Sequence, residues 1–394
     1  MTGVAGSIAH MLRFITAGES HGPGLVAVVE GLPAGIPFLY DELKAELARR
    51  TLGFGRGPRM KIEKDQVEIM GGVRHGRTLG SPLAVVIHNT EFPEKWAEEM
   101  SPHPGTAKHP KTTPRPGHAD LVGMQKYDTH DARDILERAS ARETAARTVV
   151  GYAAKAMLSQ LGIDVFSHVV EIGGVAAPTE PLPKPSDLEA IDSSPVRVFD
   201  RSAEQAMVET IEAARADRDT LGGVVEVLTY GLVPGVGSHV HWDRKLDAEV
   251  AEALMSIQAI KGVEIGDGFR TARRRGSEAH DEIFHDEAGF SRMTNKAGGT
   301  EGGMSVGDVL RVRAAMKPIS TVGRGLRTVD VSTKQAESAF YERSDVVAVP
   351  AAGVVAEQMV AIVVAREIQR KFGGDTVGDL QTAWNAYRAR LDAF

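Results

Sequence analysis

There is no cysteine among the 394 residues, which excludes disulfide frameworks, thiolate metal sites and cysteine nucleophiles and removes any call for an oxidising compartment. No uninterrupted apolar run approaches the length of a bilayer span, and Met1 to His10 lacks a basic segment leading into an apolar one. A chain neither exported nor embedded is therefore expected, with a cytoplasmic location. No G-x-G-x-x-G follows a strand and opens a helix with an acidic partner downstream, so a Rossmann dinucleotide site is not supported, and a P-loop is absent too. Basic residues are not in excess either. Lys plus Arg number 46 against 53 Asp plus Glu, a net charge of -7 that argues against non-specific binding to nucleic acid or anionic membrane. What is present is a globular composition, 42% hydrophobic, with core enough for one large domain or two ordinary ones.

Against this acidic background the positive charge is clustered. Arg49-Arg50-Thr51-Leu52-Gly53-Phe54-Gly55-Arg56-Gly57-Pro58-Arg59-Met60-Lys61 carries five basic residues and no acid, and its three glycines make a loop able to wrap an anion. Exposed surfaces usually intersperse both signs, which favours anion binding over a solvated basic loop. The stretch 101–119 holds five prolines and again no acid, so it cannot be a helix. Within it, Pro114-Arg115-Pro116-Gly117-His118 would aim Arg115 and His118 from a stiff loop, with His118 an acid/base candidate beside an anion. Glu137-Arg138-Ala139-Ser140-Ala141-Arg142-Glu143-Thr144 leads into an Ala-rich helix, with Ser140 and Glu143 at capping-box spacing. Arg138 and Arg142 oppose the macrodipole at that helix N-terminus and ask for an anion held there.

The C-terminal half repeats the pattern. Gly298-Gly299-Thr300-Glu301-Gly302-Gly303 precedes a strand-like alternation, after which Lys317-Pro318-Ile319-Ser320-Thr321 sets a cation and two hydroxyls around a φ-fixing proline. Tyr341-Glu342-Arg343-Ser344-Asp345 stands before the apolar run 346–350. Helices are expected at 41–50, 140–160, 202–218, 243–259 and 351–371, with another after 375. Strand-then-Gly-Leu outlines at 24–33 and 223–234, and a second pair at 80–87 and 307–312, raise an internal duplication. The proline-rich segment at about 176–195 reads as an exposed linker between the halves. Without a clean βαβ rhythm, the fold class expected is α+β.

Gly18-Glu19-Ser20-His21-Gly22 admits two chemistries. As G-x-S-x-G it is the nucleophile elbow of an α/β-hydrolase, a serine esterase acting through Ser20. Read for its last residues, it puts His21 as a general acid on a loop that glycines let close around a ligand. The elbow needs a helix after the serine, whereas Pro23, Gly24 and a strand-like run follow.

Taken together, the pentapeptide, the arginine loop, Gly72-Val73-Arg74-His75-Gly76-Arg77-Thr78-Leu79-Gly80, Arg115-Pro116-Gly117-His118-Ala119-Asp120 and 137–144 resemble the chorismate synthase family. The resemblance continues in order through Gln258-Ala259-Ile260-Lys261-Gly262-Val263-Glu264, 298–303, 317–321 and Glu342-Arg343-Ser344-Asp345. It departs in an N-terminal extension over residues 1–10, in Phe54 where a tyrosine is usual, and in the variable proline-rich stretch 101–114.

The resemblance implies a single domain over 1–394, folded as a β-α-β sandwich with internal pseudo-duplication and assembled as a homotetramer. It implies a lyase of the shikimate pathway, and so of aromatic amino acid biosynthesis. In that reaction 5-enolpyruvylshikimate 3-phosphate loses phosphate and a C6 hydrogen by anti-1,4-elimination to give chorismate. Reduced FMN is the implied cofactor, with NADPH at most an indirect reductant acting through an external flavin reductase; no metal is implied. Arg50, Arg56, Arg59, Arg115, Arg142 and Arg343 match the family's substrate arginines. His21 would protonate the departing phosphate, with Ser20 holding His21 or that phosphate. His118 would stabilise the charge of the reduced flavin, and Asp345 would lie on the proton-removal path. FMN would be held by Arg138, Ala139 and Ser140, by Gln258 and Ala259 of a neighbouring subunit, by Gly302, by Lys317, Pro318, Ile319, Ser320 and Thr321, and by Arg343.

Overall fold

Two strands that alternate inward and outward residues start the first sheet. The computed structural model describes residues 11–56, 65–287, 289–342 and 344–394. In it Arg13–Gly18 (β1), Gly24–Glu30 (β2), Gln66–Gly71 (β3) and Leu83–His88 (β4) pair antiparallel in the order β1-β2-β4-β3. Register sets Leu25 opposite Ile87, Ala27 opposite Val85 and Val29 opposite Leu83, all buried, which is what period-two alternation requires of a sheet with one covered face. The helix Tyr40–Arg49 (α1) lies between β2 and β3 in sequence and buries Leu43 and Leu47, one turn apart.

Asp120–Tyr127 (α2) and Arg133–Ala139 (α3) follow the first sheet, and a 3-10 turn at Ala141–Glu143 leads into Thr144–Ser159 (α4). The second sheet comprises Asp164–Ile172 (β5), Val175–Ala176 (β6), Gly223–Tyr230 (β7), Ile260–Ile265 (β8) and Leu310–Met316 (β9), antiparallel throughout in the order β8-β9-β7-β5-β6. Leu188–Asp192 (α5), Glu204–Ala216 (α6) and Leu246–Met255 (α7) lie between its strands in sequence. Val349–Phe372 (α8) and Val377–Asp392 (α9) complete the chain. Helix α4 packs on β2 and on α8, and α8 packs in turn on β5 and β7, so these two helices occupy the space between the sheets. By length and composition α8 could cross a bilayer, but 94% of its most apolar window is buried against the rest of the chain, and Glu357 sits in its middle.

Leaving out the short β6, both sheets place their strands in the order first, second, fourth, third along the chain, with a helix between the second and third in each. The segment expected as an exposed linker is different in structure. It lies inside the second half, between β6 and β7, and Leu182, Leu188 and Ile191 cover Phe166 and Leu228 on the second sheet. Its prolines stand before the short helix α5, with Pro185 opening the turn that leads into it, and its apolar residues bury. The helix expected at 243–259 stops at Met255, where the apolar face Leu246, Val250 and Leu254 ends, and Ala259 takes φ +69, outside the helical region.

Candidate active site

The loop between β1 and β2 is built backbone first. Gly18 has φ +93, and a Cβ there would lie 2.1 Å from the Gly24 carbonyl oxygen, so this glycine serves hairpin closure rather than ligand access. Ser20 sits in a bend between antiparallel strands, with no helix following it, and its Oγ is 3.1 Å from Ser140 Oγ. The strand-to-helix elbow of a hydrolase is absent, which overturns the esterase reading. Asn89, after β4, holds the bend. Its side-chain amide donates to the carbonyls of Glu19, Ser20 and Gly22 at 3.1, 3.2 and 2.8 Å, and its Oδ1 accepts from Arg142 Nε at 3.1 Å.

His21 is fixed from α3. Glu137 Oε2 accepts the His21 backbone N–H at 2.7 Å, and Oε1 lies 2.8 Å from Nδ1. Arg133, one turn before, donates to the same carboxylate at 3.0 Å. Burial pushes the Glu137 carboxyl up, but the hydrogen bonds and charge of His21 and Arg133 outweigh it and hold it below the usual range.

The second histidine stands in the turn Arg115 to Asp120. His118 N–H donates back to the Arg115 carbonyl at 3.3 Å, and fully buried Asp120 accepts from Arg115 N and Nε at 3.0 and 2.8 Å while lying 2.5 Å from His118 Nδ1. Arg115 also reaches Thr321 Oγ1 at 3.1 Å and stacks on Phe340 at 4.6 Å. Burial raises the Asp120 carboxyl, yet the His118 and Arg115 hydrogen bonds bring it down to about 2 from an ordinary 3.8. With the folded value below the unfolded one, this stabilisation is whole above about pH 4 and lost as pH falls toward 2. The stability gap between the wild type and Asp120→Asn is therefore expected to narrow by about 2 kcal/mol on acidification from pH 5 to 2. Parallel denaturation midpoints over that range would mean that the carboxylate is not paired in solution.

Both histidines face one cavity of about 480 Å³, a size typical of cofactor and substrate sites. Among the described residues, Arg50, Arg56, Arg115, Arg142 and Lys317 line it against Glu342 and Asp345 as the carboxylates, a local excess of positive charge in an acidic protein. The arginines are pre-positioned by acids, of which Asp65 is the one that sequence reasoning did not single out. Asp65 lies 3.5 Å from Arg50 and 2.5 Å from Arg142, Asp345 lies 2.8 Å from Arg56, and Asp120 holds Arg115. The buried start of α8, through Ala348, Ala351 and Ala352, and that of α4, through Thr144, also face the cavity, adding two positive dipole ends. Burial, with Lys261 nearby, lowers the Lys317 ammonium.

Of the residues singled out for the cofactor, Ala139, Ser140, Gln258, Ala259, Lys317, Ile319, Ser320 and Thr321 line this cavity. Gln258 and Ala259 do so within their own chain, where a neighbouring subunit was expected to supply them. Pro318 is not among the lining residues but fixes the turn after β9 that carries them. Gly302 lies elsewhere, in the tight turn between Thr300–Glu301 and Met304–Ser305, with His239 beside it. Arg138 also lies off the cavity. It donates to the carbonyls of Gly18 and Thr16 at 3.1 and 2.7 Å, which accounts for this cation without a ligand. Ser140 caps the following turn by accepting from Arg142 N at 3.2 Å, but the box is not closed, because Glu143 turns to Thr16 and Arg147 instead. Phe54 is not among the lining residues; its ring stacks under Arg215 at 5.0 Å, so the hydroxyl it lacks is not missing from the cavity wall. Arg59 and Arg343, like the N-terminal extension 1–10, lie outside the described residues.

The sequence pattern of the chorismate synthase family matches residues 12–368. Chorismate synthase of Acidothermus cellulolyticus is 62% identical over 386 residues, covering 96% of this chain and 98% of that protein. Its counterpart from Leifsonia xyli is 59% identical over 391 residues, with 97% and 96% covered. A crystal structure of chorismate synthase superposes with a TM-score of 0.77 at 39% identity, covering 98% of this chain and 99% of its own. Matched by the family pattern and almost end to end by these relatives, the chain belongs to the chorismate synthase family.

Proposed function

We propose that this cavity binds 5-enolpyruvylshikimate 3-phosphate beside reduced FMN and eliminates phosphate to form chorismate, the lyase reaction of the family and the last step of the shikimate pathway. The observation that carries the reading is the convergence of His21, His118 and Asp345 with Arg50, Arg56, Arg115 and Arg142 on one cavity. One phosphate and two carboxylates need several fixed guanidiniums, and these are held in place by Asp65, Asp345 and Asp120 before any ligand arrives. Arg59 and Arg343 are read as further members of that set.

The walls fit a flavin. Ala139, Ala141, Ala348, Ala351 and Ala352 leave room for a flat ring system, and Gln258 Oε1 is buried without a hydrogen-bond partner among the described residues, an acceptor suited to a ring N–H. Ala139, Ser140, Gln258, Ala259 and the 317–321 turn would hold it. The chemistry that a bound, reduced flavin would supply there is a transient donation of electron density without net oxidation. His118, buttressed by Asp120 and Arg115, offers a hydrogen bond to an anionic ring. His21 gives its proton to the phosphate oxygen as the C–O bond breaks and takes no further part in that bond. Asp345 receives the C6 proton or relays it.

The whole chain is read as one domain, a pseudo-duplicated β-α-β sandwich, a reading supported by the shared strand order of the two sheets and the paired helices between them. A homotetramer is the proposed assembly, and exposed Ile283, Phe284, Phe290 and Met293 are apolar surface of the kind that subunit contacts cover. A cytoplasmic location and an external reductase driven by NADPH complete the proposal. The test is product formation. Anaerobic enzyme with chemically reduced FMN and the substrate should yield chorismate, NADPH with FMN alone should not, and no product with flavin bound would sink the assignment.

A further inference from the structure

His21 is held more tightly than a loop histidine needs to be. Glu137 contacts it twice, through the backbone N–H and through Nδ1, and the residue is 4% exposed. The ring is also covered by Trp96, from the π-helical turn Phe92–Trp96, with centroids 4.1 Å apart and planes tilted by 43°. Arg133 closes the arrangement. Its guanidinium stacks on Trp96 at 4.9 Å, donates to Glu137 Oε1 at 3.0 Å and reaches Glu342 at 3.2 Å. Among the described residues, Asp65, Arg142, His88 and Glu91 are further titratable and charged groups that line a small recess with it.

We propose that Glu137 is the positioning residue for His21: it takes the Nδ1 hydrogen, so that His21 delivers its proton to the departing phosphate through Nε2. This rests on the proposed role of His21 as the acid. An imidazole has two nitrogens, and which one exchanges a proton with the ligand is set by the partner of the other. With Nδ1–H committed to a buried carboxylate, transfer can run only through Nε2, and the anion also offsets the charge of the imidazolium before it gives up its proton. The step balances. The substrate C–O electron pair goes to the phosphate oxygen, that oxygen gains the Nε2 proton, and His21 is left neutral with Nδ1–H still on Glu137. Trp96 and Arg133 keep the ring and the carboxylate from rotating away from each other.

A merely structural Glu137 would anchor the loop, and its loss would lower the melting temperature or raise KM. A positioning Glu137 acts on turnover and on its pH dependence. In Glu137→Gln holoenzyme, kcat should fall on the order of 10- to 100-fold with KM changed little. The pH above which turnover declines should move down, because the imidazolium has lost its counter-charge. Glu137→Asp, which keeps that charge, should restore the wild-type pH profile. An unmoved pH profile in Glu137→Gln, or a loss confined to KM and thermal stability, overturns the proposal. His21→Ala separates the two ideas. Wild-type turnover in His21→Ala ends the acid reading itself, whereas a large loss there beside an unmoved Glu137→Gln ends only the role of Glu137. If Glu137→Gln does not fold, nitrogen-15 histidine spectra of the wild type, with His21 assigned by difference from His21→Ala, decide. A hydrogen-bonded Nδ1 proton across the active pH range supports the proposal, and a bare Nδ1 accepting instead contradicts it.

Discussion

Alanine at position 21 is expected to lower turnover by about 10²–10⁴-fold, the usual contribution of one positioned general acid. Phosphate would then have to leave unprotonated from a carbon–oxygen bond, and nothing else in the bend between β1 and β2 replaces the lost group. Alanine at 118 should cost a similar factor of about 10²–10⁴ by a different route. His118 shares the buried Asp120 with Arg115, so its loss should also weaken retention of reduced flavin, which His21→Ala should leave nearly unchanged. Steady-state turnover measured beside flavin binding therefore tells the two histidines apart. Near-wild-type rates in either variant would remove that residue from the mechanism.

The second large effect is on stability. Glu357 in α8 is fully buried, and its carboxylate bonds Arg49, Lys155 Nζ at 2.9 Å and Ser167 Oγ at 2.8 Å, with Arg197 3.9 Å away. Burial pushes this carboxyl up, but Arg49, Lys155 and Arg197 together hold it well below the usual carboxylate range. Glu357→Gln keeps the volume and removes the charge, leaving those cations in the interior with less compensation. Breaking a buried ion pair from one side costs about 3–5 kcal/mol, and that loss of unfolding free energy is expected here by denaturant titration. A change below about 1 kcal/mol would mean that the network is hydrated in solution. The network ties Arg49, the last residue of α1, to the core helix whose first turn faces the cavity, so Arg50 next to it should lose some of its fixed placement. A raised substrate KM should accompany the lost stability.

What the sequence made legible was local. The long helices announced themselves by periodicity, Arg50, Arg56 and Arg115 by unbroken positive charge in an acidic chain, and Arg142 by opposing the dipole of an expected helix start. Of the acids that hold this site, Asp345 stood out as part of the cluster 341–345, while Glu137 and Asp65 did not. Glu137 meets His21 across 116 residues, and Asp65 meets Arg142 across 77; nothing in the letters around either acid records such a pairing. Asp120 carried the better signal, two residues after His118 inside a stiff turn. Trp96 and Asn89 lie on an irregular segment after β4, where no hydrophobic period points at a partner. The opposite error occurred at Arg138, where a cation expected at a helix start looked like an anion site but lies in the last turn of α3 and serves backbone carbonyls. Prolines misled in the same way at 176–195, because they mark turns and say nothing about burial or about the short helix α5 that follows them.

The pentapeptide Gly18 to Gly22 therefore acts through its fourth residue, presented by a hairpin bend and braced from α3. The most direct measurement of the whole account is a single anaerobic turnover, in which enzyme preloaded with reduced FMN is mixed with a limiting amount of 5-enolpyruvylshikimate 3-phosphate. Released phosphate and chorismate should appear in equal amounts, with the flavin still reduced at the end. Phosphate without chorismate, or product formed only as flavin is oxidised, would contradict it.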